Sequence, residues 1–286
     1  MYVIAGATGH VGSVVGNELL GKKEKVKVLV RSQDKGRDWL NRGAELAVGS
    51  LDDRAFLTTA LRGADGFFAM MPPPPFTTED FYAAQRKMAD TIAGAVKDSG
   101  VPHVVMLSSV GADLSSGNGP IRGLNYLENA LRATGTTLTA IRAGYFQENV
   151  AHVLGAARGA GIYPNFTSSA DTAVPMIATK DIGALAARAL LEKPSKSEVI
   201  DLRGPAYSAT QIAEKLGAAL GKPVQVVTVP QPGWIDAMIG AGFPRPFAEV
   251  YSDMYGGLNS GRIRPTGDRL VEGKTAIDDV IRTLVR

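Results

Sequence analysis

Gly6-Ala7-Thr8-Gly9-His10-Val11-Gly12 stands between a short apolar run that ends at Ala5 and a segment in which Val11, Val14, Val15 and Leu19 recur at helical spacing. A glycine turn between a strand and a helix is an anion site. Backbone N–H groups and the positive end of the helix dipole converge there, and glycine at positions 6 and 9 leaves no Cβ to hold a pyrophosphate away. Gly12 would let the helix lie close against the strand. Three of the chain's 33 glycines carry little weight alone. The strand before, the helix after and a second strand at βαβ distance turn the motif into a dinucleotide-binding expectation. His10 reads equally as a cofactor contact and as a solvated loop histidine.

The second strand candidate ends in Arg31-Ser32, with Lys35 a few residues on. An acidic residue at that place receives the ribose hydroxyl of NADH, whereas arginine suits the extra phosphate of NADPH. NADPH is therefore the expected cofactor, and Asp34 keeps NADH possible. Leu51-Asp52-Asp53 follows the third strand. Asp52 reads equally as an acceptor for the adenine amino group and as the cap of the next helix.

These residues need a scaffold, and the first half of the chain supplies its pattern. Six apolar runs, Tyr2–Ala5, Lys25–Val30, Ala44–Val48, Gly66–Met70, His103–Leu107 and Thr137–Ile141, alternate with helical segments at Val11–Leu20, Gln33–Asn41, Asp53–Leu61, Glu79–Ser99 and Leu124–Thr134. Alternation of this kind predicts an α/β fold, a doubly wound parallel Rossmann sheet. The pattern loosens after Tyr145. A helix at about 180–192 and a strand at Glu198–Leu202 are expected to return to the main sheet. Beyond Gly204-Pro205 a smaller α+β lobe is expected, with helix Ala209–Leu220, strand Val224–Val229 and a last helix at Thr275–Val285. The expected division is 1–150 with 172–204 for the nucleotide, and 205–286 with help from 151–171 for the substrate side. Pro72-Pro73-Pro74-Pro75 after the fourth strand is the one compositional oddity.

Composition narrows the function classes. No cysteine is present, which excludes disulfides, a thiolate nucleophile, iron–sulfur ligation and cysteine-bound zinc, and no metal site is expected. A net charge of +3 over 286 residues, without a dense basic run beyond Lys22, Lys23, Lys25 and Lys27, gives no reason to expect nucleic acid. No apolar stretch is long enough for a bilayer, and Met1-Tyr2-Val3-Ile4 reads as a strand and not as a leader. A cytoplasmic protein with no membrane partner is the expectation, and a homodimer is compatible with it.

The glycine loop, Arg31, the segment Arg142-Ala143-Gly144-Tyr145-Phe146-Gln147-Glu148-Asn149 and the stretch Phe243-Pro244-Arg245-Pro246-Phe247 together give a specific likeness. The chain resembles the NmrA-like atypical short-chain reductases over nearly its full length, and within them the quinone oxidoreductases and triphenylmethane dye reductases. The resemblance implies NADPH across the carboxyl edge of the sheet. Gly6, Thr8, Gly9, His10 and Val11 would surround its pyrophosphate, and Arg31 and Lys35 would hold the ribose phosphate. Met70 and Met71 would flank the adenosine side, with Ser108 and Tyr145 near the nicotinamide. By residue type alone, Met70, Met71 and Tyr145 serve equally well as packing.

No tyrosine carries a lysine four residues on: Tyr82, Tyr126, Tyr145 and Tyr207 are followed there by Arg86, Ala130, Asn149 and Gln211. Many relatives instead place lysine or histidine four residues before a glutamate that matches Glu128. Leu124 stands at that position and can move no proton. Two readings follow. One is a reductase whose acceptor, a quinone or conjugated aromatic, needs little acid catalysis, with Ser108 and Tyr145 as the candidate catalytic groups. The other is a nucleotide-sensing regulator without turnover. Phe146, Trp234, Phe247 and Tyr251 favour the reductase if they line a cleft with Phe243 and Tyr255, and Phe247 and Tyr251 share a helix face. The same stripe would equally form core.

Overall fold

The computed structural model describes residues 1–286. In the first half, β1 (Tyr2–Ile4), α1 (His10–Gly21), β2 (Val26–Val30), α2 (Gln33–Asn41), β3 (Glu45–Val48), α3 (Arg54–Leu61), β4 (Gly66–Ala69), α4 (Phe81–Ser99), β5 (His103–Ser109), α5 (Ile121–Arg132) and β6 (Thr137–Ala143) alternate as the pattern predicts. Local chemistry sets the ends. Asp53 and Asp80 accept the backbone N–H of Phe56 and Ala83 and so begin α3 and α4, while Gly100 takes the left-handed conformation that closes α4. Asp53 therefore caps α3, and Asp52 stays exposed beside it.

The second half continues with β7 (Tyr145–Phe146), a 3₁₀ segment at Gln147–Val153, α6 (Leu154–Ala160), β8 (Ile162–Asn165), β9 (Val174–Ile177), α7 (Thr179–Glu192), β10 (Glu198–Arg203), β11 (Ala206–Tyr207) and α8 (Ala209–Leu220). It ends with β12 (Gln225–Thr228), α9 (Trp234–Gly240), α10 (Arg245–Asn259), β13 (Arg269–Glu272) and α11 (Ile277–Val285). Ser208 and Gln211 form a reciprocal capping box at the start of α8.

Eight strands form one sheet in the order β13-β10-β6-β5-β4-β1-β2-β3, with every pair parallel. Successive residues of a strand feed opposite faces, as a period of two requires. Ile4, Phe68 and Val105 join α1 and α7 in one core, while Val3, Phe67 and Val104 join α3, α4 and α5 in the other. Gly183 makes the first of these layers possible, because a Cβ there would lie 2.5 Å from the Val14 Cβ.

The sheet extends further along the chain than its pattern suggests. Arg269–Glu272 adds β13 in register with β10, Ile200 opposite Arg269, although it lies well inside the stretch expected to form the lobe. Only one residue of that strand is even half-buried, so hydrophobic periodicity could not mark it. Gln225–Thr228 does form a strand, but its partner is β8, in a separate two-stranded sheet. A third sheet, β11-β9-β7, lies where the chain leaves β6.

Candidate functional site

The strand order reverses its sense between β1 and β4, and in an open parallel sheet the crevice at such a point, beyond the carboxyl ends of the strands, is where ligands bind. The glycine loop leaves β1 into that crevice. Gly6 takes a φ of +66°, and a Cβ on it would come within 3.1 Å of the Met70 side chain. A Cβ on Gly12 would lie 2.3 Å from the Gly6 carbonyl oxygen, so close packing of α1 on β1 demands glycine. Gly9 differs. Its backbone is extended, with φ −101°, and a Cβ would meet only the Gly6 carbonyl, at an ordinary 3.4 Å. Nothing in the fold requires glycine there, and the space it leaves open faces outward, where Thr8, Gly9 and His10 are all exposed.

The first helical amide bond of α1 runs from Ser13 to the Gly9 carbonyl, so the N–H groups of the preceding residues have no helical acceptor. No side chain caps them, and no acidic residue occupies the first turn. The neighbouring helix α7 is the opposite case. Glu148 accepts from the Thr179 N–H at 2.9 Å and from its hydroxyl at 2.6 Å, so a protein carboxylate already fills that N-terminus. Of these two the α1 terminus is the one left open to an anion, and its unpaired amides beside Gly6 and Gly9 fit a dinucleotide pyrophosphate.

Arg31 follows β2, exposed and without an ion pair or a side-chain hydrogen bond, and Lys35 is likewise exposed and unpaired. Asp34, the carboxylate that would suit NADH, is held at 2.9 Å by Arg37. This end of the sheet therefore offers two unpaired cations and a carboxylate already paired with Arg37.

A buried ionic network lies beneath the carboxyl ends of β5 and β6. Glu128, 1% exposed, accepts from the Ser108 hydroxyl at 2.6 Å, from Arg142 Nε and Nη2 at 3.0 and 2.8 Å, and from Arg132 at 3.0 Å. Arg142 also donates to the Thr266 hydroxyl and approaches Asp113 and Asp201. Burial raises the pKa of Asp201 above the ordinary carboxylate range, opposed by the Gly267 and Thr266 N–H groups and by Arg142. The network joins α5, the ends of β5, β6 and β10, and the segment leading to β13.

Beyond the carboxyl end of β6, from Tyr145 onward, lies an aromatic row. The Tyr145 hydroxyl lies 3.4 Å from that of Tyr255, whose ring stacks on Phe166 at 5.0 Å, while Phe243 packs edge-on against Tyr251 at 5.7 Å. Burial pushes the phenols of Tyr145, Tyr163, Tyr251 and Tyr255 upward, and their mutual proximity adds to this for Tyr163, Tyr251 and Tyr255. All four stay protonated at neutral pH.

The sequence model of the NmrA-like family matches residues 2–266. The chain belongs to that family. The NAD(P)H azoreductase of Xenophilus azovorans is 30% identical over 256 residues, covering 89% of this NmrA-like chain and 86% of that protein. Among solved structures, the NADPH-dependent quinone oxidoreductase of Escherichia coli, crystallised with NADPH, superposes with a TM-score of 0.82 at 23% identity, over all of both chains. The Citrobacter sp. triphenylmethane reductase complexed with NADP(H) gives 0.82 at 21% identity, over 99% of this chain and 100% of that one. These likenesses share the fold described above.

Within this NmrA-like chain the structure brings some of the sequence-read residues together and withdraws others. Gly6, Thr8, Gly9 and His10 meet at the cleft, and Met70 abuts Gly6. Val11 turns its side chain into the core at 8% exposure, leaving only its backbone to the loop. Met71 packs on the α3–α4–α5 core and Phe146 on the α1–α7 core. Ser108 gives its hydroxyl proton to Glu128 and is 2% exposed, so it serves the buried network. Trp234 and Phe247 are corrected from cleft to core: their rings are 3% and 1% exposed, one donating its N–H to the Val229 carbonyl, the other wedged against Phe81 and Phe76. Tyr251 and Tyr145 stay half-buried in the row. Leu124 lies one turn into α5, which begins earlier than its apolar pattern indicates, and packs against the core there. Glu128, Arg142 and Glu148 escape a sequence reading as a group. Their partners lie 14 to 124 residues away, and only the Arg132 pair at helical spacing is visible in sequence.

Proposed function

We propose that this chain is an NADPH-dependent oxidoreductase that passes hydride to a quinone or another conjugated aromatic acceptor, such as an azo compound. The observation that carries this reading is the open, acid-free N-terminus of α1 beside the unpaired Arg31, on the same carboxyl edge of the sheet from which Tyr145 and its neighbouring rings continue beyond β6. The family membership and the activities named for its relatives support it.

Residues 1–150 with 172–204 would hold the nucleotide. The lobe from 205, joined by 151–171, would bound the acceptor, although β13 within it belongs to the large sheet. Gly6, Thr8, Gly9, His10 and the Val11 N–H would take the pyrophosphate, Arg31 and Lys35 the ribose phosphate, and Asp52 the adenine edge, with Met70 and Met71 along the adenosine. When bound, NADPH supplies two electrons and one proton as hydride, and reduction of a quinone to its hydroquinone then needs one more proton. Tyr145, kept protonated by burial and hydrogen-bonded to Tyr255, is the candidate donor from the chain itself. Delocalised acceptors ease that demand, because the charge left by hydride addition is spread over a phenolate. A simple ketone develops a basic alkoxide, and Leu124 offers it no acid.

Mixing the purified protein with NADPH and a panel of quinones, azo dyes and matched aryl ketones, and following NADPH absorbance, tests the reading. Steady oxidation with the conjugated acceptors and far slower oxidation with the ketones is the expected result. Tight NADPH binding with no turnover on any acceptor would replace the reductase with a nucleotide sensor.

A further inference from the structure

Four consecutive prolines, Pro72 to Pro75, leave the end of β4 directly after Met70 and Met71. Proline fixes φ near −65° and resists folding back, so a run of four is a stiff extended strap. This strap begins at the glycine loop, where Met70 meets Gly6, and ends at Phe76 against Phe243 and Phe247, on either side of the α10 N-terminus. Phe76 touches Phe247 at 4.9 Å, edge-on, and Phe243 at 5.6 Å. Despite both contacts it remains 55% exposed, the most exposed of the large apolar side chains. A ring held in place by two others and yet open on one side is a surface prepared for a further ring.

Phe76 also has a place in the aromatic row. The row runs from Tyr145 and Tyr255 at the carboxyl edge, through Tyr251 and Phe243, and Phe76 is its outer end. Phe247 and Phe81 lie beneath, fully buried, and fix the position of the outer ring without being accessible themselves.

We infer that Phe76, carried on the four-proline strap and backed by Phe243 and Phe247, is the face on which a planar conjugated acceptor stacks, and that it sets the preference for extended over single-ring acceptors. The inference rests on the reductase reading above and adds the residue that selects the acceptor. Stiffness matters here. A strap that cannot fold back holds the ring in place before the acceptor arrives, so little ordering is left for binding.

The experiment compares the wild type with Phe76→Ala and Phe76→Leu, using NADPH with a two-ring naphthoquinone and a one-ring benzoquinone. Both variants should lower kcat/KM for the naphthoquinone about five- to tenfold, through KM more than kcat, and lower it for the benzoquinone by about twofold or less. Phe76→Tyr, which keeps the ring, should restore the wild-type preference. NADPH affinity, read by fluorescence titration, should not move. A wild-type ratio between the two acceptors in Phe76→Leu, or a parallel loss of NADPH affinity, would overturn the assignment. If the wild type reduces neither quinone, the reductase reading fails. The stacking face is then read separately, by naphthoquinone binding to the NADP⁺-loaded protein. Binding weakened about fivefold or more in Phe76→Leu sustains it, and binding that is absent or unchanged overturns it.

Discussion

The two edges of the eight-stranded sheet are built from the same strands and differ in what they leave unpaired. At the carboxyl edge the α1 amides, Arg31, Lys35 and the outer face of Phe76 have no partner in the chain. At the amino edge the groups pair locally, the buried Nδ1 of His103 excepted: the N-terminal amine pairs with Asp65, the Thr136 hydroxyl donates to the Val101 carbonyl, the Ser197 hydroxyl accepts from the Leu138 N–H, and His103 Nε2 lies 3.1 Å from the Thr139 hydroxyl. Parallel strands put every helix N-terminus, and with it every positive dipole end, on the same side. One edge therefore carries binding and the other carries stability, and substitutions at the two should sort accordingly.

The sharpest division lies inside the glycine loop itself. Gly12→Val places a side chain 2.3 Å from the Gly6 carbonyl and should prevent folding or cost well over about 3 kcal/mol, the upper range for ordinary overpacking. The Cβ of Gly9→Val would meet no protein atom closer than 3.4 Å, so its melting temperature should stay near the wild type while NADPH affinity falls about hundredfold or more. Thermal melts with calorimetric titration read both. Retained binding in a folded Gly9→Val would reduce the loop to a turn.

Next in size is the buried network, which lies at the carboxyl edge but should behave as structure. Glu128→Ala leaves Arg142, its side chain 7% exposed, without its main partner, and removal of one member of a buried pair costs about 3–5 kcal/mol. Breaking the exposed Arg203–Glu272 pair should cost about 1 kcal/mol or less. Urea denaturation of the two variants gives the contrast directly. Equal costs would mean that the network is solvated in solution.

Arg31→Ala tests the binding edge alone. Loss of charge-assisted bonds to a phosphate is worth about 1.5–3 kcal/mol, so NADPH should weaken about ten- to hundredfold, NADH about twofold at most, and unfolding not at all. Equal losses for both nucleotides would show that Arg31 does not read the phosphate.

How much of this is legible in the sequence follows from the range of the interactions. β1 to β6 and their helices are readable because each is a local apolar pattern with local caps such as Asp80 and Gly100, and the loop at Gly6–Gly12 because its spacing is itself the motif. β13 is not, since its exposed Arg269, Leu270 and Glu272 show no buried periodicity and the strand exists only through its pairing with β10. The aromatic residues are found by type and misjudged by place: Trp234 and Phe247 are core, while the exposed ring belongs to Phe76, behind the prolines. No local signal separates those cases, because exposure depends on what the strap crosses. Glu128 stands out in sequence only through the Arg132 pair at helical spacing and through the position four residues before it that the family resemblance marks, Leu124. Its real significance needs Arg142, one strand away in space.

The smallest expected effect concerns the amino edge and pH. His103 begins β5, is 4% exposed, and has only the Thr139 hydroxyl on one ring nitrogen and no partner on the other. Burial lowers its pKa below the ordinary value of 6.5, with the Glu198 carboxylate and the Leu190 carbonyl opposing the change only in part. In the unfolded chain the imidazole takes its proton at about that ordinary value, whereas the folded protein resists protonation until a lower pH. Between the two, the unfolded state binds more protons, so stability rises with pH there. The contribution of His103 is complete above 6.5 and is lost as pH falls toward the folded value, below which both states are protonated and no further loss accrues. Urea midpoints of the wild type should therefore drop between neutral and mildly acidic pH by more than those of His103→Leu. The Kd for NADPH should show no difference between the two proteins across the same range, because His103 lies at the opposite end of β5 from the cleft. A pH dependence of unfolding that is identical in wild type and His103→Leu would mean that the imidazole is hydrated in the folded protein. A change in the pH dependence of NADPH binding would mean that the two edges are coupled through β5, and the separation between them would fail.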